Sequence, residues 1–424
     1  MFKKAWLMPL SYTFLGTILV FILLTHPPVI GYDTQSYLNL NSTRPPLYPI
    51  FIWLFKWCGT YQLEAVTWVK TIIFAASLYY ARNWLRNNLM LSDFLIFIVF
   101  CFTTITTFRL VLLAESLTVP LFVMAFLTAV DVMKEVQTKK LIWLSIWIGL
   151  LILARTQFYY LYLFFLWLIF WYLWNNIPKN NVIKAATIFS FSIFLTFIFN
   201  QTYHHITHPQ TDCYISAENL LIMQPLYLAD MTAINYFKDP AQKEYITHIL
   251  TQMKKQKLTS ADIPLNPPFP DDVYTFYGYN YNDISTINCS YLNQKYPNLS
   301  ERNRLMMSAI KILYADDFKK NLHFFIWKYA SFVGSIPLSF AFLILICAAS
   351  SRIMKRQNKY NTEQIFVIVG IVLILSNNAC IALFEPGITR YFFYNYFIYY
   401  CLAALSADRL FFHTQNMGEF QHSD

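Results

Sequence analysis

Six ionisable residues interrupt apolar stretches of this sequence: Lys70, Arg109, Glu115, Arg155, Glu385 and Arg390. A seventh, Asp33, lies in a polar, Pro-rich segment between the first two apolar runs. A charge at membrane depth costs roughly 2.5–3.5 kcal/mol on insertion scales, so each of the six is a candidate for function. A carboxylate such as Asp33 can take the proton of a hydroxyl nucleophile. Lys70, Arg109, Arg155 and Arg390 can neutralise a phosphate and stabilise it as a leaving group. A phosphate head group carrying a polyprenyl tail, with the tail between helices, suits such a set.

These roles require that the residues meet, which depends on the elements that carry them. The chain is 57% hydrophobic and 13% charged over 424 residues, against about 25% charged in a soluble domain. It cannot cover a water-facing surface, so an all-α, polytopic membrane bundle is expected. The net charge of +9 belongs to loop topology and not to nucleic acid, because no Lys/Arg run forms a patch. Spans of about 20 mainly apolar residues are expected near 6–25, 61–84, 93–108, 111–131, 141–154, 157–175, 182–200, 336–351, 364–384 and 391–408, about ten transmembrane helices in all. The first run resembles a signal peptide, but no small-residue cleavage site follows it, and it reads as a retained helix.

Basic residues test this map. With the N-terminus inside, the cytoplasmic segments hold 14 Lys and Arg, at least one in each. The short outside turns hold only Arg109, Arg155 and Arg390, singly. Both termini are then cytoplasmic, and the six costly charges lie toward the outer helix ends, on the side of Asp33. A proton relay or ion pore would string its charges through the full depth instead.

The chain divides into an N-terminal transmembrane module, 1–200, with a first extracytoplasmic loop at 26–60. A large extracytoplasmic loop follows at 201–335, and then C-terminal helices with a short cytoplasmic tail at 336–424. In the first loop, Ile50-Phe-Ile-Trp-Leu-Phe-Lys-Trp57 is too short to span and rich in aromatics, so an interfacial helix is expected. The large loop carries 12 Lys/Arg and 12 Asp/Glu and is near neutral. Segments 217–257 and 300–320 read as helical, and 321–332 as a second interfacial helix. The Pro-, Tyr- and Asn-rich stretch 264–283 reads as an ordered but irregular loop. Cys213 and Cys289 share this region, and in an oxidising space they are either bridged or not. Cys101, Cys347, Cys380 and Cys401 fall in apolar runs and read as inert.

Asp33-x-x-x-Tyr37 followed by Arg44-Pro45-Pro46-Leu47-Tyr48-Pro49 resembles the first-loop signature of the GT-C glycosyltransferase superfamily, which includes protein O-mannosyltransferases and the aminoarabinose transferase of lipid A. The interfacial segment ending at Gly59 and a basic residue in the second helix, here Lys70, are similar as well. Further motifs in the same order are Arg109-Leu-Val-Leu-Leu-Ala-Glu115, Gly149-Leu-Leu-Ile-Leu-Ala-Arg155-Thr and Glu385-Pro-Gly-Ile-Thr-Arg390-Tyr391. The resemblance implies an inverting enzyme in a bacterial inner membrane, with its site facing the periplasm. It implies an undecaprenyl-phosphate-linked sugar as donor and a glycan, lipopolysaccharide or protein as acceptor. Asp33 becomes the general base, Lys70, Arg109, Arg155 and Arg390 bind donor phosphate, and Tyr37, Arg44, Tyr48, Glu115, Glu385 and Tyr391 support the site. Relatives often have two adjacent acids in the loop, whereas Asp33 is flanked by Tyr32 and Thr34. No metal or other cofactor is therefore expected to be required.

Other readings of the same residues remain open. Asp33 can serve as a helix N-cap. Lys70 can snorkel to the interface. Glu115 can pair with Arg109 or with another helix, Arg155 can be an ordinary loop charge, and Glu385 with Arg390 can order a turn. His204 and His208 have the i, i+4 spacing of zinc ligands but lack an evident third. The aromatic run Tyr274–Tyr281 can stack on sugar rings or pack a domain. Two other functions fit a many-helix chain: an O-antigen polymerase or ligase using a diphosphate-linked glycan, and a transporter or flippase. The second predicts broken Gly/Pro helices at mid-membrane, and the chain has only 9 Gly.

Overall fold

The computed structural model describes residues 2–31, 33–40, 44–108, 112–207, 217–263, 270–333, 344, 362–384 and 393–412. Among the described residues the architecture is all-helical. Helices α1 (Phe2–Thr25), α4 (Gln62–Leu89), α5 (Asp93–Thr107), α6 (Glu115–Lys134), α7 (Thr138–Ala154), α8 (Tyr160–Trp174) and α9 (Lys179–Thr207) fall on the first seven expected spans. Two later helices, here α15 (Thr362–Phe384) and α16 (Phe393–Ala407), fall on the last two. The remaining expected span, 336–351, lies outside the described residues except for residue 344. Short helices α2 (Thr34–Leu38) and α3 (Leu47–Trp53) form in the first loop.

Among the described residues, four helical stretches are long and apolar enough to cross a membrane: Glu115–Lys134, Thr156–Trp174, Lys179–Thr207 and Thr362–Phe384. Their burial differs sharply. Helix α6 is buried over 83% of its apolar window and α9 over only 22%. The outward face of α9 carries Ile183, Phe191, Phe194 and Phe197, all more than half exposed. A water-soluble protein does not leave so wide an apolar face uncovered; this is the surface of a membrane protein.

Chain contacts define two units. The first comprises Met1–His204, Phe342–Ile374 and Phe392–Asp424, the second His205–Ala341 and Leu375–Tyr391. In the first unit α6 is the central helix, packing against α4, α7 and α16. Gly370 of α15 permits one close approach, since a Cβ there would lie 2.8 Å from Ile398 Cγ2 of α16. In the first loop, Gly59 (φ +60°) turns the chain from a short 3-10 helix, Lys56–Tyr61, into α4. That conformation favours glycine because an L side chain is strained there.

The second unit holds α10 (Ala217–Leu228), α11 (Pro240–Lys255), α12 (Pro270–Lys295), α13 (Leu299–Asp316) and α14 (Phe318–Val333). Local signals start two of them. Asp239 caps α11 by accepting from Gln242 N, with Pro240 behind it, and Asn298 caps α13 by accepting from Ser300 N. The expectation of irregular chain over 264–283 is corrected from residue 270 onward, where α12 begins. Tyr277, Tyr281, Ile284, Asn288 and Leu292 recur every three or four residues and are all buried. This is a helical stripe, hidden in the sequence because two of its members are tyrosines and one is an amide. Two members of the aromatic run, Tyr277 and Tyr281, pack the domain while Tyr279 is exposed: Tyr277 lies 5.0 Å from Tyr227 and 5.6 Å from Phe324 between ring centres. Cys289 is fully buried in α12, and Cys213 and His208 lie outside the described residues.

A buried amide network ties three of these helices together. Tyr245 Oη donates to Asn288 Oδ1 at 2.6 Å, Asn288 Nδ2 donates to Asn219 Oδ1 at 2.8 Å, and Asn219 Nδ2 donates to Ser285 Oγ at 3.1 Å. Each buried polar group left without its partner costs about 1–3 kcal/mol. Asn288→Ala strands both Tyr245 and Asn219. It is expected to lower the thermal unfolding midpoint of the purified protein by several degrees, while Asn282→Ala, on the exposed side of the same helix, shifts it little.

Candidate functional site

The first loop is stitched to the chain just ahead of α6. Leu112 N donates to Val29 O at 3.1 Å, and Thr34 Oγ1 donates to Leu112 O at the same distance. Gly31 N in turn donates to Thr34 Oγ1 at 2.8 Å. These bonds hold α2, and with it Asp33 and Tyr37, beside the start of α6.

Asp33 precedes α2 in the N-cap position, but its side chain makes no capping bond. Its Oδ1 instead accepts from Arg44 Nη2 at 2.5 Å, and Arg44 Nε donates to Ser36 Oγ at 2.7 Å. The capping alternative is thus not the one this carboxylate adopts. The Asp33 side chain is 8% exposed and that of Arg44 27%. The guanidinium also lies 5.0 Å from the centre of the Tyr37 ring, a cation–π distance. Tyr37 meets Tyr48 edge to face at 4.9 Å, and Tyr48 is wholly buried. The Arg44–Tyr48 stretch therefore folds back onto α2 as a packed unit.

Helices α6 and α7 are joined by a short connection and run antiparallel, so the start of α6 meets the end of α7. That geometry pairs Glu115, the first residue of α6, with Arg155, which follows the last residue of α7: Arg155 Nη1 lies 2.6 Å from Glu115 Oε1. Each charge suits its helix end, an acid at an N-terminus and a base at a C-terminus. Tyr394 of α16 closes the group, its hydroxyl accepting from Thr118 Oγ1 at 2.9 Å and from Arg155 Nη1 at 3.4 Å.

Tyr37 lies against Arg44 and Tyr48 in the first loop. Burial and then the Glu115 carboxylate push its phenol above the usual value of 10, with Arg44 and Arg155 acting in the opposite sense. The hydroxyl stays protonated and available as a donor at neutral pH. The sequence-derived residues Asp33, Tyr37, Arg44, Tyr48, Glu115 and Arg155 thus converge. Lys70 is buried in α4 at 1% exposure, held inside the protein and not extended to an interface. Arg109, Glu385, Arg390 and Tyr391 lie outside the described residues. Among the described residues, no group of three or more His, Cys, Asp or Glu side chains could hold a metal ion.

Three participants carried no sequence signal. Thr34 and Ser36 are small polar residues in a polar loop. Tyr394 is one aromatic in an aromatic helix, and only its position across from Arg155 distinguishes it.

Removing one partner of a buried ion pair costs about 3–5 kcal/mol, because the other charge is left uncompensated. Glu115→Gln and Arg155→Gln are each expected to destabilise the detergent-solubilised protein by that order. The double replacement should lose clearly less than the sum, and a thermal-denaturation double-mutant cycle measures the difference. Additive losses would show that the two side chains are not coupled.

Comparison of the chain with family models, curated proteins and solved structures found no match.

Proposed function

We propose that this protein is an integral membrane glycosyltransferase that moves a sugar from a polyprenyl-phosphate donor to an extracytoplasmic acceptor with inversion, using Asp33 as the general base. The observation that carries this reading is the Asp33–Arg44 pair, a buried carboxylate and a more accessible guanidinium held at one end of an apolar helical bundle. The first-loop residues that resemble the GT-C superfamily are the ones that form this pair and its packing. The orientation belongs to the proposal: about ten spans, both termini cytoplasmic, a bacterial inner membrane and the first loop in the periplasm. An interfacial placement of the first loop is supported by Trp53, Leu54, Trp57 and Tyr61, each more than half exposed.

In this reading the acceptor hydroxyl attacks the anomeric carbon, Asp33 takes its proton, and the bond to phosphate oxygen breaks with its electron pair leaving on the phosphate. The charge state of the pair matters for both steps. Arg44 at 2.5 Å occupies the carboxylate and weakens it as a base. A donor phosphate competes for the same guanidinium, because bidentate binding of phosphate is what that group does well. Phosphate capture by Arg44 therefore frees Asp33 for proton transfer. Arg155 is already matched by Glu115, which moves it from primary phosphate ligand toward orienting the end of α7, while Lys70, Arg109 and Arg390 keep their proposed roles. An apolar groove of about 750 Å³ lies between α7 and α9, lined by Ile146, Leu150, Leu153 and Phe199 among others. It offers room for an isoprenoid tail.

General acid–base groups contribute typically 10²–10⁴-fold. Asp33→Asn, in membranes supplied with lipid-linked sugar, is expected to reduce transfer by about 100-fold or more at normal expression. Near-full activity would sink the assignment. Arg44→Ala should mainly raise the donor KM, and a monophosphate donor should be used in preference to a diphosphate one. The opposite donor preference would favour an O-antigen polymerase or ligase.

A further inference from the structure

Helices α1, α4 and α5 of the first unit enclose a cleft of about 350 Å³. Its walls are Gly16 and Leu19 of α1, Ala75, Leu78 and Tyr79 of α4 and Phe100 of α5. The faces beside it are apolar and open: Phe21 of α1 and Ile72 and Tyr79 of α4 are each more than 60% exposed. On a membrane protein such a surface meets hydrocarbon, so what enters the cleft from the side is lipid. Gly16 leaves space for it along α1, since a Cβ there would meet nothing within 4 Å.

One end of the cleft differs from the rest. Tyr12 and Arg82 line it there, and the Arg82 guanidinium lies 5.1 Å from the centre of the Tyr12 ring. Tyr12 Oη donates to the Asp93 carbonyl at 3.3 Å, which holds the ring against the start of α5. Arg82 Nη2 reaches Asp93 Oδ1 at 2.9 Å, and Arg86 Nη1, one turn further along α4, reaches Asp93 Oδ2 at 3.1 Å. Two guanidiniums share one carboxylate, so this cluster carries a formal charge of +1. The Arg82 side chain is 25% exposed and that of Arg86 57%, which leaves both within reach of a second anion.

Arg82 and Ala75 are seven residues apart, about 10 Å along the helix. The cleft is therefore cationic at one end and apolar over that depth, which matches a phosphate with an acyl chain beside it. Its place in the bundle fits as well. Helix α5 has 15 residues and is about 22 Å long; Asp93 stands at its start, whereas Glu115 follows its end. The cleft thus lies at the opposite end of the bundle from the Asp33 and Glu115 pairs. In the proposed orientation it opens to the cytoplasmic leaflet, whose anionic lipids attract basic residues.

We infer that this cleft binds one acyl chain of an anionic phospholipid from the leaflet at the α4–α5 end, with the phosphate against Arg82 and Arg86. The apolar body accepts any chain, and the surplus positive charge selects an anionic head group over a zwitterionic one. Binding there requires the membrane setting and no sugar chemistry.

The test uses the full-length protein in detergent micelles, titrated with phosphatidylglycerol, with phosphatidylcholine of the same chains and with farnesyl phosphate, the bound lipids being counted by native mass spectrometry. One phosphatidylglycerol should bind saturably and about fivefold tighter than phosphatidylcholine, the worth of one basic residue at an anionic surface. Arg86→Gln should bring the two phospholipids to equal affinity. Gly16→Leu suits a helix better than glycine does and fills the cleft, so it should remove the bound lipid of either kind while the lipid-free protein unfolds at an unchanged temperature. Equal affinity for the two phospholipids in the unaltered protein, or a correctly folded Gly16→Leu variant that keeps its lipid, would overturn the site. Tighter binding of farnesyl phosphate than of phosphatidylglycerol would overturn the phospholipid in favour of a polyprenyl carrier.

Discussion

Glu115 and Arg155 sit 2.6 Å apart at the shared end of α6 and α7, and much of the first unit is organised around the need to keep them paired. In a bundle surrounded by apolar surface, a lone carboxylate or guanidinium has no water to solvate it. The antiparallel run of α6 and α7 brings the two charges together, and the polarity of each helix end favours the charge placed there. Once paired, they form a polar patch on which other groups can build. Tyr394 joins from α16, and Tyr37 joins from the first loop through the combined field of the four charges.

The first loop depends on this anchor. Its backbone is bonded to Leu112, three residues ahead of Glu115, so the loop inherits its position from α6. Asp33 and Arg44 then form a second pair, less buried than the first. This gradation, from the more enclosed pair to one whose guanidinium is more open, separates a structural role from a chemical one. The same residue types serve both purposes, and burial decides between them.

The second unit solves the same problem with neutral groups. Its centre is a chain of amides and hydroxyls through Asn219, Ser285, Asn288 and Tyr245, each donor matched to an acceptor. Such networks specify register among helices that a purely apolar interface would leave free to slide.

Local chemistry alone determined the helical character of the chain, the helix segments of both units where apolar runs or Asp/Asn caps mark them, and the short set of charges with any claim to function. Apolar runs fix such segments because the spacing of side chains along a helix is a local property. It also marked Asp33 as the carboxylate of interest while leaving its role divided between cap and base. The tertiary structure decided what local spacing cannot contain. It showed that Asp33 binds Arg44, eleven positions away, and that Glu115 chooses Arg155 across a helical hairpin. It drew in Tyr394 from near the end of the chain, and it showed that the tyrosine-rich stretch from residue 270 is the start of a long helix with one buried face. In each case the deciding quantity is a distance between side chains on different elements, or the burial those elements create.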